Sequence, residues 1–324
     1  CFVMQNHKTN SENIKQEIDK AQNILLISHQ KPDGDTIGSN LALMAYLKKQ
    51  NKNVSSFCLH KLQSSFDFLP NVHLITDDHK VFTKQYDLVI SLDCANLEYA
   101  GVNKLMTVLP LGYKLINIDH HITNPNYGDI NLVIPESSST AEVLYRLFKD
   151  WQVEWDSDIA TSISCGMITD TNGFTNAATG YHCLYAASEM VRQGAKPHDI
   201  IKNALHNIDI DKLRIWGRAL ERLKESKQHD IVYTWLSQAD FKECDVDENS
   251  TEGIINFLHV LKDAKVIMIL TEMPNNLIKG SLRTEANIDL TKLAKIFGGG
   301  GHKKAAGFSL PGRLVYDNNK LRIV

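Results

Sequence analysis

Apolar residues follow two different rhythms along this chain, and the switch between them sets the first expectations. Asn23-Ile-Leu-Leu-Ile-Ser28, Tyr86-Asp-Leu-Val-Ile-Ser-Leu92 and Leu115-Ile-Asn-Ile-Asp119 are short continuous apolar runs. Such runs form strands covered on both faces of a parallel sheet. Each stops at polar residues: His29 and the loop after it, Asp93, and Asp119-His120-His121. Residues 12–22 predict a short helix leading into the first strand. After His29, Pro32 and Gly34 predict a tight loop, and Ile37, Leu41, Met44 and Ala45 then recur at helical spacing. Glu136 to Glu142 predicts another helix start, with a capping box from Ser139 to Glu142 and Val143, Leu144 and Leu147 on the apolar face. Ile159 to Met167 is a further apolar segment of small residues, and Asp170 follows it.

The second half changes character. Leu184–Val191 and Ile200–Leu223 read as helices separated by Gly194-Ala-Lys-Pro197. Ile231–Trp235, Lys265–Leu270 and Ile278–Arg283 read as strands, with a turn at Pro274-Asn-Asn276. Ile288, Leu290, Leu293, Ala294 and Phe297 predict a helix that ends at four glycines, Gly298 to Gly301. The predicted fold class is α/β: a doubly wound parallel-sheet domain over residues 11–190, a helical connector over 191–225, and a smaller mixed α/β domain over 226–324.

Composition narrows the function classes. With 43% hydrophobic and 23% charged residues the chain is an ordinary globular sequence. A formal net charge of -3 argues against holding long nucleic acid by bulk electrostatics, so an anionic ligand must be met by metal ions or a few placed cations. No apolar stretch approaches the roughly 20 residues of a membrane span, and no leader pattern opens the chain, so a cytoplasmic location is expected. Cys1 in place of a start methionine points to a trimmed or incomplete start. The cysteines form no Cys-x-x-Cys pair, which suggests reduced thiols rather than a disulfide framework or a zinc-thiolate site.

The candidate chemistry lies where the apolar runs end. His29, Asp33, Asp35, Asp93, Asp119, His120, His121 and Asp170 all follow predicted strands or helices, where a doubly wound sheet gathers residues at one crevice. Asp33 and Asp35 alone also fit a turn or a helix cap. Together, so many acids in a small volume repel one another unless cations bind. A donor set of carboxylates and a few histidines without cysteine favours magnesium or manganese, and the constellation reads as a two-metal hydrolytic site. In the second half, one glycine after a helix needs no more than a C-cap. Four of them let backbone amides approach an anion, beside Lys303 and Lys304.

His29-x-x-x-Asp33-x-Asp35-x-x-Gly38-Ser39, Asp93, Asp119-His120-His121 and Thr169-Asp-Thr-x-Gly-Phe174 appear in the order of the DHH phosphoesterase superfamily, which the chain resembles. Gly280-Ser-Leu-Arg283-Thr and Gly298-Gly-Gly-Gly-His302 resemble the DHH-associated domain of its nano-RNase and phosphoadenosine-phosphate phosphatase subfamily. The resemblance implies a catalytic first domain and a substrate-binding second one. It implies that His29, Asp33 and Asp93 hold one divalent ion, Mn2+ or Mg2+, and that Asp35, Asp93, His120 and Asp170 hold another. Asp119 and His121 are then the catalytic pair, and Arg283, Gly299, Gly300, Gly301 and His302 contact the substrate. One departure stands out: where an arginine is expected after Asp93, the chain has Asn96, Leu97, Glu98 and Tyr99. The implied function is hydrolysis of short oligoribonucleotides to mononucleotides and of 3'-phosphoadenosine 5'-phosphate to AMP, in a homodimer. The alternatives are a phosphodiesterase for linear dinucleotides from cyclic dinucleotide signals, and a nucleotide-binding sensor that does not hydrolyse its ligand.

Overall fold

The computed structural model describes residues 2–206, 209–251, 253–258, 261, 264–284, 286–301, 303–317 and 320–324. The chain divides into two compact units, Cys1–Asn207 and Ile208–Val324. The first unit contains strands β1 (Asn23–Ile27), β2 (Asn53–Phe57), β3 (Ile75–Thr76), β4 (Leu88–Leu92), β5 (Lys114–Asp119) and β6 (Ile130–Val133). Its helices are α1 (Phe2–Lys20), α2 (Gly34–Lys49), α3 (Asn103–Met106), α4 (Thr140–Asp150), α5 (Ser157–Asp170), α6 (Tyr181–Arg192) and α7 (Pro197–Ile200).

The six strands form one parallel sheet in the order β3-β2-β1-β4-β5-β6. The chain winds outward from β1 in one direction, then returns to β4 and winds in the other, so the order reverses between β1 and β4. The central strands β1, β4 and β5 are buried on both faces, which is why they read as mainly apolar runs, while β2 and β6 are partly exposed. Successive side chains of β1 point to opposite sides: Ile24 and Leu26 enter the core beneath α1, α2, α4 and α5, while Leu25 and Ile27 enter a second core with Phe57, Phe82 and Val102.

Helices α2 and α5 pack with almost nothing between them. A Cβ built on Gly38 would lie 2.3 Å from the Ser162 carbonyl oxygen, and one on Gly166 would lie 2.5 Å from Asp35 Oδ1. Only glycine permits that spacing.

The second unit contains α8 (Ile210–Glu221), β7 (Lys224–Ser226), β8 (Ile231–Leu236), α9 (Gln238–Cys244), α10 (Ile254–Leu258), β9 (Val266–Met273), β10 (Leu277–Arg283), α11 (Leu290–Ile296), β11 (Gly300–Gly301), β12 (Ala305–Pro311), β13 (Leu314–Asp317) and β14 (Lys320–Ile323). Its sheet runs β11-β12-β10-β9-β8-β7, with only β8 and β9 parallel, and β13 pairs with β14 separately. The Pro274-Asn-Asn276 turn is present, with Asn275 and Asn276 both at positive φ, as a tight hairpin between β9 and β10 requires.

Three local expectations change. The helix expected from Glu136 begins at Thr140, and its capping box is half formed: Ser139 Oγ accepts from the Glu142 N–H, while the Glu142 carboxylate accepts from the Ser138 N–H instead. The single helix expected over 200–223 is interrupted, because the backbone leaves helical geometry at His206 and Asp209 caps a new helix by accepting from the Lys212 N–H. β12 follows directly on the glycine and lysine run, and its alternation of Ala306, Phe308 and Leu310 is too short to stand out from it. Among the described residues no helix is long and apolar enough to cross a membrane.

Candidate metal centre

The site lies beyond the carboxyl ends of β1, β4 and β5, beside the reversal in strand order. β1 delivers His29, β4 delivers Asp93, and β5 ends at Asp119 with His120 and His121 beyond it. Asp33 is the N-cap of α2, accepting from the Asp35 and Thr36 N–H groups at 3.0 Å each, so the turn expected there exists and serves the helix as well. Asp35 lies in the first turn of α2, and Asp170 is the last residue of α5.

These side chains converge. His29 Nε2 is 3.8 Å from Asp33 Oδ2 and 3.6 Å from Asp93 Oδ2. On the other side of Asp93, His120 Nε2 is 3.7 Å from Asp93 Oδ1 and 3.5 Å from Asp170 Oδ2. His121 Nδ1 is 3.7 Å from Asp93 Oδ1 and hydrogen-bonds Asp119 Oδ1 at 2.8 Å. Three groups therefore present ligand atoms within 4.8 Å of one another: His29, Asp33 and Asp93; Asp35, His120 and Asp170; and Asp93, His120 and His121. Each could hold a metal ion, and the oxygen and nitrogen donors without a thiolate suit a hard or borderline divalent cation. The six residues expected as ligands are thus in one place.

The surroundings hold the carboxylates in position. Asp93 is buried at φ +56°, a left-handed backbone uncommon outside glycine and characteristic of functional sites. Thr36 Oγ1 donates to its Oδ2 at 2.6 Å and Thr140 Oγ1 to its Oδ1 at 3.1 Å. Asp35 is buried at the start of α4, where the Thr140 and Ala141 N–H groups donate to its two oxygens at 2.7 and 2.9 Å. Asp119 accepts from the His120 N–H at 2.8 Å and from Asn124 Nδ2 at 2.6 Å, besides His121. Thr36, Thr140 and Asn124 were not identified from sequence. Thr36 and Thr140 sit inside motifs that were read for their acids or caps, and Asn124 carries no pattern at all.

The electrostatics divide the acids into two kinds. Burial, then the neighbouring Asp35, Asp33 and Asp170, push Asp93 well above the ordinary carboxylate range. Burial and the fields of Asp35, Asp33 and Asp119 push Asp170 up to about 9, and burial also raises Asp35. In the protein alone this cluster retains protons, and a cation is what makes the fully ionised set favourable. Asp119 behaves oppositely: burial opposes ionisation, but His121, Asn124 and the His120 N–H together hold its carboxyl below the usual value. His121 is raised in turn, because the bond to Asp119 outweighs its own burial.

In the second unit Arg283 ends β10, half-buried, and donates from Nη1 to the Leu282 carbonyl at 3.0 Å. The glycine run has packing reasons of its own. Gly298 closes α11 at φ +71°, and a Cβ on Gly299 would lie 2.1 Å from the Gly307 carbonyl oxygen, while one on Gly301 would lie 2.6 Å from that of Ala305. Of the three glycines expected at a ligand, Gly300 alone has open space around it. His302 lies outside the described residues.

Family models match both units: the DHH family N-terminal domain over residues 23–167 and the DHHA1 domain over residues 219–321. The bifunctional oligoribonuclease and PAP phosphatase NrnA of Thermus thermophilus is 29% identical over 289 residues, which cover 89% of this chain and 84% of that protein. The protein of the same name from Bacillus subtilis is 23% identical over 290 residues, covering 89% of each. Among solved structures, an exopolyphosphatase-related protein from Bacteroides fragilis matches with a TM-score of 0.85 at 26% identity, covering 93% of this chain and 90% of that one.

Proposed function

The chain belongs to the DHH family and carries its DHHA1 domain, and from that premise we propose that it is a manganese-dependent, cytoplasmic phosphoesterase that cleaves short oligoribonucleotides to mononucleotides and 3'-phosphoadenosine 5'-phosphate to AMP. The observation that carries this reading is Asp93: one buried carboxylate with His29 3.6 Å from its Oδ2 and His120 3.7 Å from its Oδ1, and with Asp33 on the far side of His29 Nε2 at 3.8 Å. In this reading His29, Asp33 and Asp93 would hold one ion and Asp35, Asp93, His120 and Asp170 the other, with Asp93 common to both sets. The relatives named oligoribonuclease and PAP phosphatase support the substrate class.

Two divalent cations, when bound, supply the positive charge that acidifies a water and neutralises phosphate oxygens. The protein's own contribution is proton control. The Asp119 carboxylate fixes the proton of His121 on Nδ1, leaving Nε2 as the atom that exchanges protons. His121, oriented by Asp119, gives a proton from Nε2 to the oxygen that departs as the phosphorus–oxygen bond breaks. No side-chain nucleophile is required; the described cysteines are all buried. In the second unit, Arg283 and the Gly299–Gly301 backbone, with His302, contact the substrate's phosphates.

Product release from a dinucleotide, a five-residue RNA, a long RNA, 3'-phosphoadenosine 5'-phosphate and pyrophosphate, each with manganese and with chelator, tests this. Manganese-dependent turnover of the short substrates, lost in Asp119→Ala, is the expected result. Turnover of pyrophosphate alone would overturn the substrate class, and binding without turnover would make the protein a sensor.

A further inference from the structure

Tyr99 is used by nothing in the chemistry above, yet it stands at the site. Its ring centroid is 5.2 Å from that of His29 at a 45° tilt, and the residue is 45% exposed. The segment carrying it is held firmly. The Tyr99 N–H donates to Asn96 Oδ1 at 2.7 Å, its carbonyl accepts from the Gln30 N–H at 3.4 Å, and Gly101 follows at φ +72°, where a Cβ would strike the Leu59 side chain at 2.5 Å. A large aromatic ring is thus fixed by its backbone and leaned on His29 while much of its surface faces solvent.

The phenol is not what this placement serves. Buried His29 Nδ1 has no hydrogen-bond partner, so the hydroxyl does not anchor the imidazole. The ring leans on a histidine that itself lies 3.8 Å from Asp33 and 3.6 Å from Asp93. Beside two carboxylates, the ligand feature that gains most from this surface is a neutral, flat, polarisable one, and in a nucleotide that feature is the base.

We propose that Tyr99 is a specificity-determining residue whose exposed ring face stacks on a nucleobase of the substrate, so that the site favours phosphates that carry a base over those that do not. This rests on the nucleotide phosphoesterase reading and refines it. Base stacking on an aromatic side chain is worth about 1–3 kcal/mol, or about 5- to 150-fold in affinity.

The test pairs ligands that differ only by the base. Binding of AMP and of ribose 5-phosphate to the manganese-loaded protein is measured by calorimetry for the wild type, Tyr99→Phe and Tyr99→Ala. Cleavage of a dinucleotide and of its abasic analogue, and manganese affinity, are measured alongside. The expected result is that Tyr99→Ala weakens AMP at least fivefold and raises the dinucleotide KM to match, while ribose 5-phosphate, the abasic analogue and manganese are unaffected and Tyr99→Phe behaves as wild type. Equal losses for both members of each pair, together with weaker manganese binding, would show that the ring merely supports His29 and would overturn the proposal. A Tyr99→Phe loss as large as that of alanine would overturn it in favour of the hydroxyl. If the wild type cleaves neither dinucleotide, the phosphoesterase reading fails by itself, and the AMP and ribose 5-phosphate pair still decides the role of Tyr99.

Discussion

Gly38→Ala is a one-methyl probe of the α2–α5 spacing. The added carbon would lie 2.3 Å from the Ser162 carbonyl oxygen and 3.0 Å from the Gly166 nitrogen. Both are backbone atoms, so neither can swing aside and the helices must part. Two effects oppose each other. Alanine is favoured over glycine in a helix interior by about 1 kcal/mol. Overpacking a close-packed core costs about 1–3 kcal/mol, and contact with backbone places this case at the upper end. The net destabilisation is then about 1–2 kcal/mol, which lowers the melting temperature of a unit this size by about 2–8 °C. α2 carries Asp33 and Asp35 and α5 carries Asp170, so parting the helices also spreads the ligand set, and manganese affinity should fall as well. Gly217→Ala in α8 is the matched control: nothing lies within 4 Å of its Cβ, so the same substitution should stabilise by up to about 1 kcal/mol. Scanning calorimetry and manganese titration read both variants. A Gly38→Ala protein as stable as wild type with unchanged manganese affinity would refute the claim that this contact sets the spacing of the carboxylates.

Manganese at a hundredfold excess over its Kd should stabilise the protein by about 2.7 kcal/mol, seen as a rise in melting temperature that chelator reverses and Asp93→Asn largely removes; a melting curve indifferent to both would count against cation binding. Asp119→Asn keeps all six expected ligands but weakens the acceptor that orients His121, so kcat should drop about 10²–10⁴-fold with manganese affinity nearly intact; equal losses in both would make Asp119 part of the ligand set. In the second unit Arg222 grips Asp240 at 2.5 and 2.7 Å, and against the effect of burial this pair and Ser237 hold the Asp240 carboxyl below its ordinary value. Because the folded pKa is the lower one, this stabilisation is present above about pH 4 and is lost as pH falls through the folded value. Acid unfolding followed by circular dichroism should be less steep below pH ~4 for Asp240→Asn, which should also lose about 1–3 kcal/mol at neutral pH; an unchanged acid limb would mean the pair contributes nothing.

The buried strands and the acids at their ends were legible because both follow from one cause. A strand covered on two faces is mainly apolar, with Ser91 and Asn117 as buried exceptions, so the polar residues after Ile27, Leu92 and Ile118 mark the strands' carboxyl ends. The supports were not legible. Thr36 and Thr140 donate to Asp93 from residues 57 and 47 positions away, and hydroxyls that also suit a helix start carry no sign of such a partner. β12 was harder to see at its start, since Ala305, Ala306 and Gly307 pair with Arg283, Leu282 and Ser281 of β10 as small residues straight after the glycine and lysine run, and only Ala306, Phe308 and Leu310 mark its alternation. The packing demand on the glycine run was not legible either: Gly299 and Gly301 lie so close to the backbone of β12 that a side chain has no room, whatever ligand their amides meet.

Thr140 joins what the chain keeps far apart. Its N–H grips Asp35 and its hydroxyl grips Asp93, so one residue at the head of α4 touches an acid from each side of the strand reversal. For anyone recombining relatives of this protein, that makes the α4 head a poor place to cut. A chimera joined between residues 93 and 140 would bring together a loop and a helix start selected in different backgrounds. A chimera that carries residues 33–140 as one block keeps both grips, and is the more promising way to graft a new specificity onto this scaffold.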